Sequence, residues 1–227
     1  MADNMKYAIG ILAFGSLIDN PGQEIHEIEI ERVDCETPFA VEFARTSSTR
    51  SGAPTLIPVE TGGRVVKAKI FILDPETTIE TAKSILWRRE LHKTDRTENY
   101  IQSDNPGPNR VVVKVLEEFK NVQTVLYTSI GSNITQSLTS ELLADRAINS
   151  ILSQAGHQGK DGLRYLLSAK KNGIVTELSE EYENQILEKT ETKSLEEAIE
   201  KLDRKRTMFP KVKKTVHNKG FASGGLT

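Results

Sequence analysis

Hydrophobic positions follow two periods along the chain, and the change from one to the other divides it. Residues 7–14 are apolar without interruption, the pattern of a strand covered on both faces. Gly15 and Ser16 follow at once, and Asp19, Asn20, Pro21 and Gly22 force a turn. In residues 26–33, Ile28 and Ile30 alternate with Glu27, Glu29 and Glu31, which predicts a second strand; residues 39–45 and 65–73 predict two more. Asp74 and Pro75 then signal a helix start, by capping and by a preset φ, for a helix over 76–91. Residues 93–110 are a polar insertion long enough to be mobile or to serve as a lid. Strand patterning resumes over 111–116 and 122–127, and residues 130–133 close the β-rich part.

Beyond that point the period becomes helical. Leu142, Leu143, Ala147, Ile148, Ile151 and Leu152 keep helix spacing up to Gly156, read as a terminator, and Gly156, Gly159 and Gly162 form a loop. A second helix contains Tyr165, Leu166 and Leu167, and a third surrounds 182–187. Ser194 and Glu197 make a capping box ahead of an amphipathic helix carrying Leu195, Ala198, Ile199 and Leu202. No internal repeat is visible. Strands preceding most helices predict an α+β fold on a mixed or antiparallel sheet.

One helical position breaks the pattern. At about 100° per residue, Glu90 falls on the apolar stripe of Ile79, Ala82 and Leu86. A carboxylate aimed at a core needs a reason, either an ion pair with Lys83, Arg88 or Arg89, or chemistry.

Composition narrows the classes. In 227 residues, 37% are hydrophobic and 27% charged, enough to bury one main core and too few for two full enzyme domains. No run approaches the about 18–20 apolar residues of a membrane span, and the N-terminus lacks a secretory pattern, so a cytoplasmic protein with no membrane partner is expected. Cys35 is the only cysteine, which excludes internal disulfides and cysteine-based zinc clusters. His26, His92, His157 and His217 are scattered without metal-ligand spacing, so no metal is expected. Gly156, Gly159 and Lys160 lack the glycine spacing and the following hydroxyl of a phosphate loop, and no serine sits in a Gly-x-Ser-x-Gly elbow. The formal net charge is −2, yet every charged residue from Arg204 onward is basic. With few aromatics and a Gly–Ser end, that tail reads as solvated and flexible rather than as a nucleic-acid site.

The remaining chemistry lies where the first strand stops. At Phe14, Gly15, Ser16 and Leu17 a small-residue turn directs consecutive backbone N–H groups outward as an anion cradle. Read with the Arg45 to Pro54 stretch and with Arg89–Glu90, this turn resembles the γ-glutamylcyclotransferase-like family, closest to its ChaC-like, glutathione-specific branch. Members of that family carry a Tyr-Gly-Ser-Leu loop after the first strand and a catalytic glutamate further on. The resemblance spans about residues 7 to 187.

It implies a mixed β-sheet or barrel with flanking helices in a domain over 1–187. A helical extension with a basic tail would occupy 188–227. It also implies release of 5-oxoproline from a small γ-glutamyl substrate without any cofactor. Glu90 would be the general acid and base, and Phe14 to Leu17 would bind substrate. Tyr127 stands where the family often places a substrate-contacting tyrosine. Arg45 and Arg50 are added as carboxylate binders by residue type. Phe14 in place of tyrosine, Leu91–His92 in place of Gly-Tyr, and the long 93–110 insertion depart from the family pattern. The competing expectation is a non-catalytic small-ligand or protein-binding module on the same fold.

Overall fold

The computed structural model describes residues 6–208. The basic stretch from 209 onward lies outside the described residues, as does His217.

β1 (Tyr7–Ala13) occupies the middle of a five-stranded sheet because it is apolar on both faces. Ile9, Ile11 and Ala13 point into the main core, and Leu12 points to the opposite face. β1 runs parallel to β7 (Val122–Ser129), with Ile11 opposite Leu126, and antiparallel to β5 (Lys67–Leu73), with Gly10 opposite Ile72. β2 (Glu29–Glu36) adds to β5 and β6 (Val112–Phe119) to β7, giving the order β2-β5-β1-β7-β6 with two open edges. A separate antiparallel ribbon pairs β3 (Val41–Ser47) with β4 (Ala53–Pro58) through a short 3-10 turn at Ser48–Arg50. The protein is thus α+β with a mixed sheet.

Eight helices complete the described residues. Two short ones, α1 (Ser16–Asp19) and α2 (Gln23–Ile28), follow β1. α3 (Ile79–Glu90) packs against β6 and β7. α4 (Ser140–Ile151), α5 (Gln154–His157), α6 (Gly162–Lys171), α7 (Ser179–Thr190) and α8 (Leu195–Met208) form the helical half. α4 and α6 rest on β4. The buried face of α8, Leu195, Ala198, Ile199 and Leu202, belongs to the same core as β1 and α4. No described helix is long and apolar enough to cross a membrane.

Four expectations shift. The alternation from residue 26 belongs to a strand only from Glu29: Gly22, at φ 83°, starts a helical turn that buries Ile25. α3 opens at Ile79, not at 75–76, because Asp74 spends its carboxylate on the Glu76 N–H at 2.8 Å, while Thr78 caps the Thr81 N–H at 3.2 Å. β4 carries Pro54 and Pro58, which mask a strand in the sequence, and a two-stranded ribbon tolerates them. Gly156 does not terminate α4; it lies inside α5, where a Cβ would stand 1.8 Å from the Ile151 carbonyl. The Ser194–Glu197 box forms, with Ser194 Oγ accepting the Glu197 N–H and Glu197 reaching back to the Lys193 N–H.

Buried Glu42 ties the ribbon to the helical half. Its carboxylate accepts the Phe43 N–H at 2.8 Å, the Thr176 hydroxyl at 2.5 Å and the Leu178 N–H at 3.1 Å. On the second face of the sheet, Leu12, Ile70 and Val125 are covered by side chains including Val33, Cys35 and Phe39, and burial pushes the Cys35 thiol from 9.0 up to about 11.

Glu42→Ala leaves two backbone donors and a hydroxyl without their acceptor, and chemical denaturation should show a loss of about 2–4 kcal/mol. Glu42→Gln, which sets an amide donor against one of them, should cost about half of that. For Cys35, the thiolate fraction at neutral pH should be about a hundredfold below that of the unfolded chain. Alkylation of the native protein should be slower in proportion and should accelerate as pH rises toward 11.

Candidate functional site

The site grows out of the end of β1. Gly15 follows Phe14 with φ 60° and ψ −137°, a conformation open only to glycine, and the chain then winds into α1. Ile18 N–H bonds to the Gly15 carbonyl at 3.3 Å and Asn20 N–H to the Ser16 carbonyl at 3.0 Å. The side chains of Leu17 and Ile18 enter the core, so Leu17 can offer a ligand only its backbone.

Two elements distant in sequence close on this turn. From α6, the buried Tyr165 hydroxyl accepts the Leu56 N–H of β4 at 3.3 Å, and a Cβ on Gly15 would lie 2.7 Å from that oxygen. The Tyr165 ring meets Phe43 edge-on at 6.1 Å and carries the Arg50 guanidinium 4.6 Å from its centroid. Burial raises the Tyr165 hydroxyl pKa, with the Glu90 charge adding to the rise.

From α3 comes Arg89. Its Nη1 donates to Glu90 Oε1 at 2.5 Å, its Nη2 to Ser16 Oγ at 3.4 Å and to the Asn20 carbonyl at 2.7 Å, and its Nε to that carbonyl at 3.2 Å. The Glu90 side chain, 25% exposed, therefore stands at the last turn of α3 with its charge offset by a guanidinium that also grips the β1 turn. Of the three basic residues considered as its partner, Arg89 is the one that pairs. Lys83 lies 3.9 Å from Glu80, and buried Arg88 forks onto Glu24 at 3.0 and 2.5 Å.

The other predicted residues separate from this group. Phe14 meets Phe39 at 5.9 Å, and Phe39 stacks on Tyr127 at 4.6 Å. Phe14 and Phe39 pack against both cores, while Tyr127 lies on the second face of the sheet and its neighbour Leu126 enters the main core. Burial raises the Tyr127 hydroxyl pKa. Arg45 donates from Nη1 to the Gly131 carbonyl at 2.5 Å and to Asn109 Oδ1 at 3.2 Å, fastening β3 to two loops. The Asn133 side chain does the same for Thr46, accepting its N–H at 2.7 Å and donating to its carbonyl at 3.0 Å.

The 93–110 insertion is held down on α3. Arg88 Nη1 donates to the Glu98 carbonyl at 2.6 Å, Lys93 pairs with Glu98, and the Tyr100 N–H reaches Ser84 Oγ at 3.1 Å. The Tyr100 ring lies 6.3 Å from Trp87, and its hydroxyl accepts the Val113 N–H at 3.2 Å. Beside Arg89 opens a groove of about 330 Å³, bounded by residues 20–25 and by His92, Lys93, Thr94 and Arg96. Its charges are internally matched, Arg88 with Glu24, Arg96 with Glu27 and Lys93 with Glu98. Among the described residues, no group of three or more His, Cys, Asp or Glu could hold a metal ion.

Sequence reasoning missed Tyr165, Leu56 and Asn20 as members of this site. Tyr165 keeps helix spacing with Leu166 and reads as core, and the other two act through backbone atoms that carry no residue-type signal. No protein-family model matches the chain, and no curated protein matches it.

Gly15→Ala must adopt a disfavoured φ and push a methyl group against the Tyr165 hydroxyl, and should lose about 2–4 kcal/mol of stability in thermal or chemical unfolding. Adding Tyr165→Phe should return about 1 kcal/mol of that loss, and strictly additive effects would show that the hydroxyl is not the obstacle.

Proposed function

We propose that the protein is a γ-glutamylcyclotransferase-type lyase, releasing 5-oxoproline from a γ-glutamyl peptide or amine, with glutathione the leading candidate. The observation that carries this reading is the junction of Glu90 with the Gly15–Ser16 turn through Arg89. An ionisable carboxylate stands beside an anion-compatible turn, and no water nucleophile or bound cofactor is needed for the reaction.

In that reaction the α-amino nitrogen of the γ-glutamyl unit attacks its own side-chain carbonyl. A C–N bond forms in the ring, and the C–N bond to the leaving amine breaks. With a pKa near ~8 the amine is mostly protonated at neutral pH, so a base must act first. Glu90 takes a proton from the attacking nitrogen and delivers one to the leaving nitrogen; the second proton lost by the ammonium ends on the released amine or in solvent. Arg89, fixed on the Asn20 carbonyl, holds Glu90 beside the turn and adds a positive charge there. The N–H groups of Gly15, Ser16 and Leu17 orient an anionic group, so that the flexible chain is held curled for attack. The Phe14–Phe39–Tyr127 row would form an apolar wall on the other side of the turn.

The second reading, a catalytically idle binding module on this fold, draws on the same ion pair, since every described contact of Glu90 is satisfied by Arg89 and nothing else engages it. The two readings separate on incubation with glutathione and a panel of γ-glutamyl amines, followed by assay of 5-oxoproline. The native protein should release it, at a rate that climbs with pH as the substrate amine loses its proton toward pH ~8. Glu90→Gln should lower kcat by about 100-fold or more while KM stays within a few-fold. Equal turnover by the two proteins removes Glu90 from the chemistry, and ligand binding without any 5-oxoproline establishes the binding module.

A further inference from the structure

The arginines of the described structure divide by what meets their charge. Arg32, Arg88, Arg89, Arg96, Arg164, Arg204 and Arg206 each pair with a carboxylate, while Arg64 and Arg110 are exposed and Arg146 donates to the Gln136 amide oxygen. Arg45 spends its Nη1 on a carbonyl and an amide oxygen. Half-buried Arg50 has neither resource: the one hydrogen bond of its guanidinium among the described residues is a long one, from Nη1 to the Lys160 carbonyl at 3.4 Å. Yet its position is built. Its carbonyl accepts the buried Ser150 hydroxyl at 2.6 Å, its guanidinium carbon stands 4.6 Å from the Tyr165 ring centroid, and Ser51, at φ 51°, turns the chain immediately after it. The carboxylate that acts on its charge, Asp161, is committed to capping α6 and to Arg164. Burial pulls the Arg50 guanidinium pKa down, and the Arg89 charge pulls it the same way. Arg50 and Arg89 both act on Tyr165, whose hydroxyl occupies the space beside Gly15, and of the two only Arg89 has its counter-charge.

We infer that Arg50 reads a carboxylate of the molecule held at the Gly15–Ser16 turn, with the Tyr165 face fixing the plane of the fork; this rests on the cyclotransferase reading and assigns its charge selectivity. An arginine fork stacked on an aromatic ring is preorganised for bidentate carboxylate binding, so little side-chain freedom is lost when the ligand arrives. The chemistry has two sources in a γ-glutamyl peptide: the α-carboxylate of the γ-glutamyl unit and the carboxylate of the leaving residue.

The test uses the full chain with Arg50→Gln and Arg50→Lys, each checked for a native melting profile. Three substrates are compared: a γ-glutamyl dipeptide, a γ-glutamyl alkylamide without the leaving-group carboxylate, and a dipeptide whose α-carboxylate is an amide. Arg50→Gln should raise KM for the dipeptide about 10- to 100-fold with kcat within a few-fold, and Arg50→Lys should recover part of the loss. If the leaving residue is read, the alkylamide binds the native protein poorly and does not respond to the substitution. If the α-carboxylate is read, the alkylamide responds as the dipeptide does and the α-amide does not respond. Calorimetric titration with 5-oxoproline and with glutarate runs beside the assay. Carboxylate binding that Arg50→Gln abolishes, in a protein without turnover, retires the cyclotransferase reading and keeps the Arg50 assignment. Unchanged KM in a folded, active Arg50→Gln protein, unchanged carboxylate binding, or no carboxylate binding by the native chain overturns it.

Discussion

The Tyr165 hydroxyl sits where a side chain on residue 15 would have to be, and much of the molecule is arranged around that exclusion. Its oxygen accepts a hydrogen bond from the backbone of β4, so it cannot withdraw without leaving a buried N–H unpaired. Gly15 answers by having no Cβ and by adopting a backbone conformation that other residues avoid. α6 is fastened to α1 nearby, with Asp19 accepting hydrogen bonds from Ser168 at 2.5 Å and Asn172 at 2.9 Å. The turn after β1 is therefore clamped between the ribbon and the helical half, and its amides are fixed in direction.

Adjacent arginines on α3 serve opposite ends of this arrangement. The 100° step between neighbouring helical residues sends Arg88 inward to Glu24 and to the insertion, and Arg89 sideways to Glu90 and the turn. The buried Arg88–Glu24 pair adds little net stability once desolvation is counted, but losing either partner strands the other's charge. Its effect is to set where α2 and the 93–110 segment lie against α3, and so to hold the floor under Arg89.

Much of the fold was legible because periodicity reports burial. The uninterrupted run at 7–14 marks the central strand, and the helical spacing after residue 140 marks the helical half. What failed was local competition: Asp74 and Thr78 are both capping types, and only the geometry decides which one caps. Pro54 and Pro58 hid β4, whose amide at Leu56 then proved to hold Tyr165. For the site, the angular position of Glu90 and the small-residue turn were visible. Their connection through Arg89 was not, since a helix-end arginine looks the same whether it faces water or a carbonyl. Arg45 and Arg50 are equivalent by residue type, and their different fates follow from loops, at 109, 131 and 160, whose approach no linear pattern encodes. The polar residues of the insertion have no period and suggest a mobile segment or a lid; its anchors are the single residues Tyr100 and Glu98, meeting Trp87, Ser84 and Arg88.

α8 has an architectural consequence. A boundary after residue 187 would cut through α7, and the segment beyond it supplies one wall of the common core through Leu195, Ala198 and Leu202. Its last turns are riveted as well: Asp203 meets Arg164 at 2.5 Å and Arg206 at 2.6 Å, and Arg206 donates to the Ile151 carbonyl at 2.8 Å. Arg164 in turn holds Asp161, the cap of the helix that presents Tyr165. α8 thus acts as a keel for the helix that presents Tyr165, so that trimming it would disturb the first strand's turn without removing a residue of that turn.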